Sequence, residues 1–245
     1  MNVIQPELFS KYPEVRCGVS SRKGGVSPKP FDLNLSFSVG DNAENVKENR
    51  NRFFGALGIR QESVGFPKQV HGNVVRCVEK PGMYEGCDAL VANASGLFLA
   101  ISVADCLPIF LFDPETKSIA SVHSGWRGSK MKIVSNAVKV MNEEFGTYPE
   151  DLLAFIGPSA GACCYEVGEE VAMEFKEKYV EKKSGRKPHL DLKAFNTGLL
   201  IEAGVSENNI EVSEYCTICH ADLFHSYRRD KENSGRMMGV IGIVT

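Results

Sequence analysis

Three residues of this chain have the types that zinc prefers, and each stands at the end of a short apolar segment: His71, Cys106 and His123. Two of them share the stretch 103–128, VADCLPIFLFDPETKSIASVHSGWRG. Leu107–Phe112 and Ile119–His123 are apolar runs of strand length. Asp113-Pro114-Glu115-Thr116-Lys117 between them has the composition of a turn, with Pro where it pre-sets φ. A hairpin returns the chain to its start, so the Cys106 thiol and the His123 imidazole are expected to be neighbours. Together they suggest a metal site or a Cys–His nucleophile pair. A buried thiol beside a backbone-satisfied imidazole explains one Cys and one His equally well, because free Cys is commonly core.

Two features favour chemistry. Gly125-Trp126-Arg127-Gly128 follows His123 at once and holds the only Trp, a shaped turn at a strand end. Lys68-Gln69-Val70-His71-Gly72 places another His at the end of a short segment. A set of two His and one Cys leaves one tetrahedral position open, the pattern of a catalytic zinc. The spacing matches no short zinc motif.

The elements that must position these residues read as follows. Val15–Val19, Phe31–Gly40, Val74–Val78, Asp88–Val91, Gly96–Val103, Leu152–Ile156, Ile210–Val212 and Met237–Val244 are predicted strands. Helices are predicted from the Asp41-Asn42 cap to Gly58, and over Ser129–Phe145, Gly168–Tyr179 and Asp191–Ala203. Pro81–Gly86 reads as a turn, the Gly/Pro loop 21–28 as an anion or surface loop, and Lys182–Pro188 as a solvated basic linker. Strands outnumber helices and do not alternate with them, which predicts an α+β fold. No composition break divides the chain, so one domain over 1–245 is expected.

Composition narrows the function. With 24% charged and 43% hydrophobic residues the chain reads as an ordinary globular protein, and its formal net charge of −3 gives no basic field for nucleic acid. No signal peptide and no apolar run of about 18 residues is evident, so no membrane association is expected and a cytoplasmic location is. The eight cysteines then read as thiols in a reducing compartment. Cys216-Thr217-Ile218-Cys219-His220 matches the haem-attachment pattern, but that chemistry needs export. Neither haem nor an essential metal is expected there. A structural zinc at Cys216 and Cys219 would need two further ligands, for which His220 and His225 are the candidates. Cys163-Cys164, vicinal and poorly shaped for a disulfide, is expected in the core.

Taken in order, SRKGGVSP, FDLNLSFSVGD, VKENRNRFF, KQVHG, CDALV, ADCLPIFLFD, HSGWRG, IGPSAGACCYEV and FHSYRR resemble one family. It is the bacterial multicopper polyphenol oxidase or laccase-domain family, also called purine nucleoside phosphorylases and peptidoglycan editing factors. The resemblance covers nearly the whole chain. It implies a four-layer α/β/β/α sandwich and a zinc site made of His71, Cys106 and His123. It also implies phosphorolysis of adenosine, inosine, guanosine and methylthioadenosine, and deamination of adenosine. Purine nucleosides and phosphate are then the expected partners, of a chain read as a monomer. The chain lacks the signature of the other zinc deaminases, so Asp105, beside the Cys ligand, is the candidate for acid–base work or for orienting a His. Arg22, Arg127 and Arg228 are the candidates for phosphate, since guanidinium matches it bidentately. Asn34 and His225 are candidate nucleoside contacts.

Three alternatives share the site. One is a thiol hydrolase with Cys106 as nucleophile and His123 as base. Another is hydrolytic editing of a peptidoglycan precursor. A copper polyphenol oxidase needs several copper ions and many imidazoles, and five His argue against it, with copper a weaker metal candidate than zinc. A non-catalytic binding module is the reading from outside the enzyme class.

Overall fold

The computed structural model describes residues 2–182 and 185–244. Its strands are β1 (Val3–Ile4), β2 (Val15–Ser20), β3 (Val64–Lys68), β4 (Val75–Cys77), β5 (Gly82–Glu85), β6 (Ala89–Ala92) and β7 (Phe98–Val103). They continue as β8 (Leu107–Phe112), β9 (Ile119–Ser124), β10 (Leu153–Ile156), β11 (Val180–Glu181), β12 (His189–Leu190), β13 (Ile210–Val212) and β14 (Met237–Ile243). The α-helices are α1 (Ala43–Ala56), α2 (Trp126–Lys130), α3 (Ile133–Phe145), α4 (Glu169–Ala172), α5 (Leu192–Glu202) and α6 (Tyr227–Asp230).

Two mixed sheets form the body. One runs β1-β2-β14-β7-β3-β5 and the other β13-β10-β8-β9-β6-β4. The strand period decides how they stack, because successive side chains point to opposite faces. Along β8, Phe110 and Phe112 join Leu99, Ile101 and Ile241 in the layer between the sheets. Ile109 and Leu111 of the same strand face the other way, onto Ile133, Val134, Ala137 and Met141 of α3 and Leu199 and Leu200 of α5. A strand buried on both faces needs a continuous apolar run, which is why residues 107–112 do not alternate. On the outside of the first sheet, Phe53 and Phe54 of α1 pack on Phe98, Ala100, Met238 and Val240. The result is an α+β fold, two sheets face to face with helices on their outer faces. Each fully buried Leu or Phe contributes about 1.5–3 kcal/mol to holding these layers.

Asn42 caps α1, its side chain accepting from the amides of Glu44 and Asn45, as the sequence predicts. Gly146 ends α3 in the left-handed conformation, φ 71°. Four local expectations are corrected. Phe31–Gly40 is irregular, because Asn34 turns its side chain onto Ser36 and Asp41 and so competes with a ladder. The helix predicted over Ser129–Phe145 is two, α2 and α3, broken at Lys132 with φ 57°. Only α4 and a 3₁₀ turn at Glu177–Tyr179 form where a helix was expected over Gly168–Tyr179. The turn expected at Pro81–Gly86 contains β5, paired parallel to β3. Of the linker expected over Lys182–Pro188, Lys183 and Ser184 lie outside the described residues. Among the described residues no helix is long and apolar enough to cross a membrane.

Candidate metal centre

The hairpin forms as the turn composition predicts. β8 and β9 pair antiparallel with Leu107 opposite Ser124 and Pro108 opposite His123. That register carries Cys106 to the level of Gly125, and a Cβ on Gly125 would stand 3.0 Å from the Cys106 Sγ and 3.4 Å from the His71 ring. Glycine is needed here for closeness rather than for φ, which is an ordinary −82°. His71 comes from the loop between β3 and β4. Its φ of 59° is uncommon for a non-glycine residue.

The ligand atoms of His71, Cys106 and His123 all lie within 4.8 Å of one another. The two imidazoles meet edge to face, centroids 4.9 Å apart. A fourth residue organises them. Asp88 lies just before β6 and is fully buried. Its Oδ1 takes the His123 Nδ1 at 2.7 Å. The same carboxylate accepts the backbone N–H groups of Val70, His71 and Gly72 at 3.0, 2.9 and 2.8 Å. One buried carboxylate thus orients one imidazole by its ring and the other by its backbone. With His123 Nδ1 engaged, Nε2 is the nitrogen left for a ligand, the carboxylate–histidine–metal arrangement.

The electrostatics follow from burial and proximity. Burial pushes the Cys106 thiol up, but the charge and hydrogen bond of His123, with help from His71, bring it down to about 6. Burial lowers His123, while Cys106 and the Asp88 carboxylate raise it, to about 9. Burial also works against the Asp88 anion, yet the His123 hydrogen bond and the amides of Gly72 and Val70 hold it below the usual carboxylate range. The cluster favours thiolate beside a protonated imidazole; release of that proton leaves one thiolate and two imidazoles able to hold a metal ion.

These residues open on a cavity of about 890 Å³, a size suited to a small ligand. Six basic side chains line it: Arg50, Lys68, Arg127, Arg228, Lys231 and Arg236. The four guanidiniums each lie against an aromatic face. Arg127 is 4.4 Å from the Trp126 ring, Arg228 4.9 Å from Tyr165, and Arg236 5.4 Å from Tyr227. Arg50 sits between Phe37 and Phe66 at 4.5 and 5.0 Å, and its burial lowers its pKa to about 10. Among the described residues none of the four is ion-paired to a carboxylate.

The remaining residues singled out in the sequence lie as follows. Arg127 and Arg228 face the cavity. Arg22, Asn34 and His225 do not line it. The Arg22 guanidinium is spent on Asp32 and on the carbonyls of Pro30 and Ala221. Asn34 is buried and binds Ser36, Asp41 and the Arg236 amide. His225 is buried beneath Gly235, whose Cβ would fall 2.6 Å from Nε2. Asp105 reaches the cavity wall at a strained φ of 90°. Its carboxylate accepts from the Thr217 hydroxyl at 2.6 Å and the Arg228 amide at 2.7 Å, so the carboxylate that orients the histidines is Asp88 and not Asp105. The signal for Asp88 was a charge at the mouth of a wholly apolar strand, where burial requires partners. The signal for Arg50 was a cation on the apolar face of α1.

Relatives share both the fold and the length of this chain. The family profile described as "Multi-copper polyphenol oxidoreductase laccase" matches residues 16–244. The chain is 33% identical over 247 residues to a Bacillus subtilis protein named "Purine nucleoside phosphorylase YlmD", covering 94% of this chain and 89% of that one. It is 42% identical over 229 residues to a Deinococcus radiodurans protein named "Purine nucleoside phosphorylase", covering 91% and 87%. The chain belongs to this laccase-domain family. The crystal structure of YlmD from Geobacillus stearothermophilus superposes with a TM-score of 0.92 at 32% identity, over 98% of this chain and 94% of that one. Bacillus licheniformis YfiH superposes at 0.91 and 31%, over 95% and 94%. The laccase-domain name speaks of several coppers. This member has five His in all, and two of them stand at the centre described above.

Proposed function

We propose that the chain is a zinc-dependent purine nucleoside phosphorylase, acting on adenosine, inosine, guanosine and methylthioadenosine, with adenosine deamination as a second activity of the same pocket. The observation that carries this reading is the convergence of His71, Cys106 and His123 on one point of a cavity whose walls are basic and aromatic. The names of the relatives agree with it. Aromatic faces suit a purine, and unpaired guanidiniums suit phosphate. The donor set of two imidazoles and one thiolate suits zinc, and zinc there would supply a Lewis acid next to the bound nucleoside.

The chain's own residues then have separate tasks. Trp126, Tyr165 and Phe66 hold the base, and Arg127 and Arg228 hold phosphate against the ribose. An oxygen of phosphate attacks C1′, the C1′–N9 bond breaks with its electron pair going to the purine, and the departing base takes a proton from solvent. The products are the free base and ribose 1-phosphate. Asp105, fixed by Thr217 and the Arg228 backbone, positions Arg228 at the phosphate end.

A second reading has its own observation. Cys106, His123 and Asp88 form a hydrogen-bonded line of thiol, imidazole and carboxylate, and the thiol is acidic. That is the arrangement of a cysteine hydrolase, whose substrate could be a peptidoglycan precursor. His71 separates the two readings, because a metal needs it and a thiol nucleophile does not. Hypoxanthine release from inosine is the assay. The phosphorylase reading predicts that His71→Ala loses activity together with its zinc. A His71→Ala protein that has lost its zinc yet still turns over inosine, while Cys106→Ala is dead, would remove the metal from the reaction and leave the Cys106 thiol as the reacting group.

A further inference from the structure

A second group of sulfurs lies outside the cavity. Cys163 and Cys164 come from the loop after β10, and Cys216 and Cys219 from the loop after β13. The four Sγ atoms lie within 4.8 Å of one another. Cys164 Sγ is 3.0 Å and Cys163 Sγ 3.4 Å from Cys219 Sγ. Two expectations from the sequence are corrected here. Cys163 is exposed and Cys164 half-buried, so the vicinal pair is not core. The partners of Cys216 and Cys219 are those two thiols and neither His220, which bonds the Cys216 carbonyl, nor His225, buried elsewhere.

We infer that Cys163, Cys164, Cys216 and Cys219 form a second, structural metal site that takes one zinc ion as a tetrathiolate. Sulfurs about 2.3 Å from a tetrahedral zinc stand about 3.8 Å from each other; the separations of 3.0 and 3.4 Å to Cys219 are shorter than that, and all four sulfurs stay within 4.8 Å, so a small outward shift makes room for the ion. The site has the other marks of a thiolate cradle. The Gly161 amide donates to the Cys216 sulfur at 3.3 Å. A Cβ on Gly161 would lie 3.2 Å from Cys216 Cβ and at ordinary contact distance, 3.4 and 3.6 Å, from Cys163 Sγ and Cys216 Sγ, so the Gly161 backbone runs directly against the sulfurs. Four thiolates around one divalent ion carry two surplus negative charges. The Lys193 ammonium, held on the carbonyls of Ser213 and Tyr215 at the start of the same loop, supplies a compensating positive charge. On binding, zinc replaces the thiol protons, which pass to solvent. Without the ion, Cys163 and Cys219 would be exposed thiols open to oxidation.

The site would fasten two loops that build one wall of the cavity. Tyr165 follows Cys164 directly, and Thr217, between Cys216 and Cys219, donates to Asp105. The Arg229 guanidinium ties the carbonyls of Thr217 and Ile218 to the next segment, where Arg228 stands. The inference goes beyond the proposed activity and does not rest on it, because it concerns four other side chains.

Native mass spectrometry with elemental analysis of the whole protein, purified under reductant, tests it. Two zinc ions per chain are expected in wild type. One is expected in Cys106→Ala, which keeps the four thiols, and one in Cys163→Ser/Cys164→Ser, which keeps the first centre. Should the double variant fail to fold, cobalt loading of Cys106→Ala decides, and the visible spectrum of a tetrahedral four-thiolate site is expected. Cys106→Ala protein that takes up neither zinc nor cobalt would overturn the inference. A Cys164–Cys219 disulfide in freshly isolated wild-type protein, with no metal at these residues, would overturn it too. If the first centre proves metal-free while Cys106→Ala still binds one zinc, the proposed activity falls and this site stands.

Discussion

The Asp88 carboxylate binds the His123 ring at Nδ1, 2.7 Å away, and with its other contacts fixes the backbone of the loop that carries His71. One carboxylate thus holds both imidazole-bearing segments in register. Asp88→Asn keeps the shape but removes the charge that raises the His123 basicity. Loss of such a partner to a metal-binding His usually weakens metal affinity about 10- to 100-fold. The same drop is expected here, measured by competition with a chromophoric chelator, and unchanged affinity would show that Asp88 serves the fold alone.

Gly125 predicts a separate effect. Its φ of −82° and ψ of 179° are open to alanine, so the helix start of α2 survives Gly125→Ala. The added Cβ would press at 3.0 Å on Cys106 Sγ. Zinc content should fall while the melting temperature moves little. A variant with wild-type zinc content and activity would mean that the sulfur can shift without leaving the site.

Most of the fold could be read from the sequence, because β8 and β9 are apolar runs of strand length joined by a turn sequence, and α1 and α5 begin at clear caps. The clustering of His71, Cys106 and His123 was legible as well, since one hairpin brings two of its members together by register alone. What escaped were relationships between loops. Asp88 looked like the start of an apolar strand, because its four partners lie 16 to 35 residues away in the chain. Cys163 and Cys164 meet Cys219 across 56 and 55 residues, and no spacing rule joins a vicinal pair to a C-x-x-C. Arg22, Asn34 and His225 have the right chemistry for a substrate, but local backbone groups or burial claimed them first.

His225 contributes to the response to acid. Burial, with Arg22 and Arg236 nearby, lowers its pKa to about 3. The unfolded chain would bind a proton near the ordinary value of about 6.5 while the folded chain stays neutral. The unfolded state then holds more protons across this window, so stability falls as pH drops from about 6.5 towards 3, with a limiting slope of about 1.4 kcal/mol per pH unit. Urea unfolding of wild type and His225→Leu between neutral pH and pH 4 checks it. The difference in stability between the two should shift in favour of the variant as pH falls, and a difference independent of pH would refute the assignment.

Arg127 tests the phosphate end of the cavity. Removing one charge-assisted contact costs about 1.5–3 kcal/mol, roughly ten- to a hundredfold in kcat/KM. Arg127→Ala should show this loss as a higher KM for phosphate, with adenosine deamination less affected. Equal losses in both reactions would place Arg127 at the nucleoside and not at the anion.

The most direct test of the central claim is phosphorus NMR of the zinc-loaded enzyme turning over inosine in phosphate buffer. Ribose 1-phosphate should form in step with hypoxanthine, with no cleavage when phosphate is withheld and no product from His71→Ala. Hypoxanthine released with free ribose, at a rate indifferent to phosphate, would contradict it.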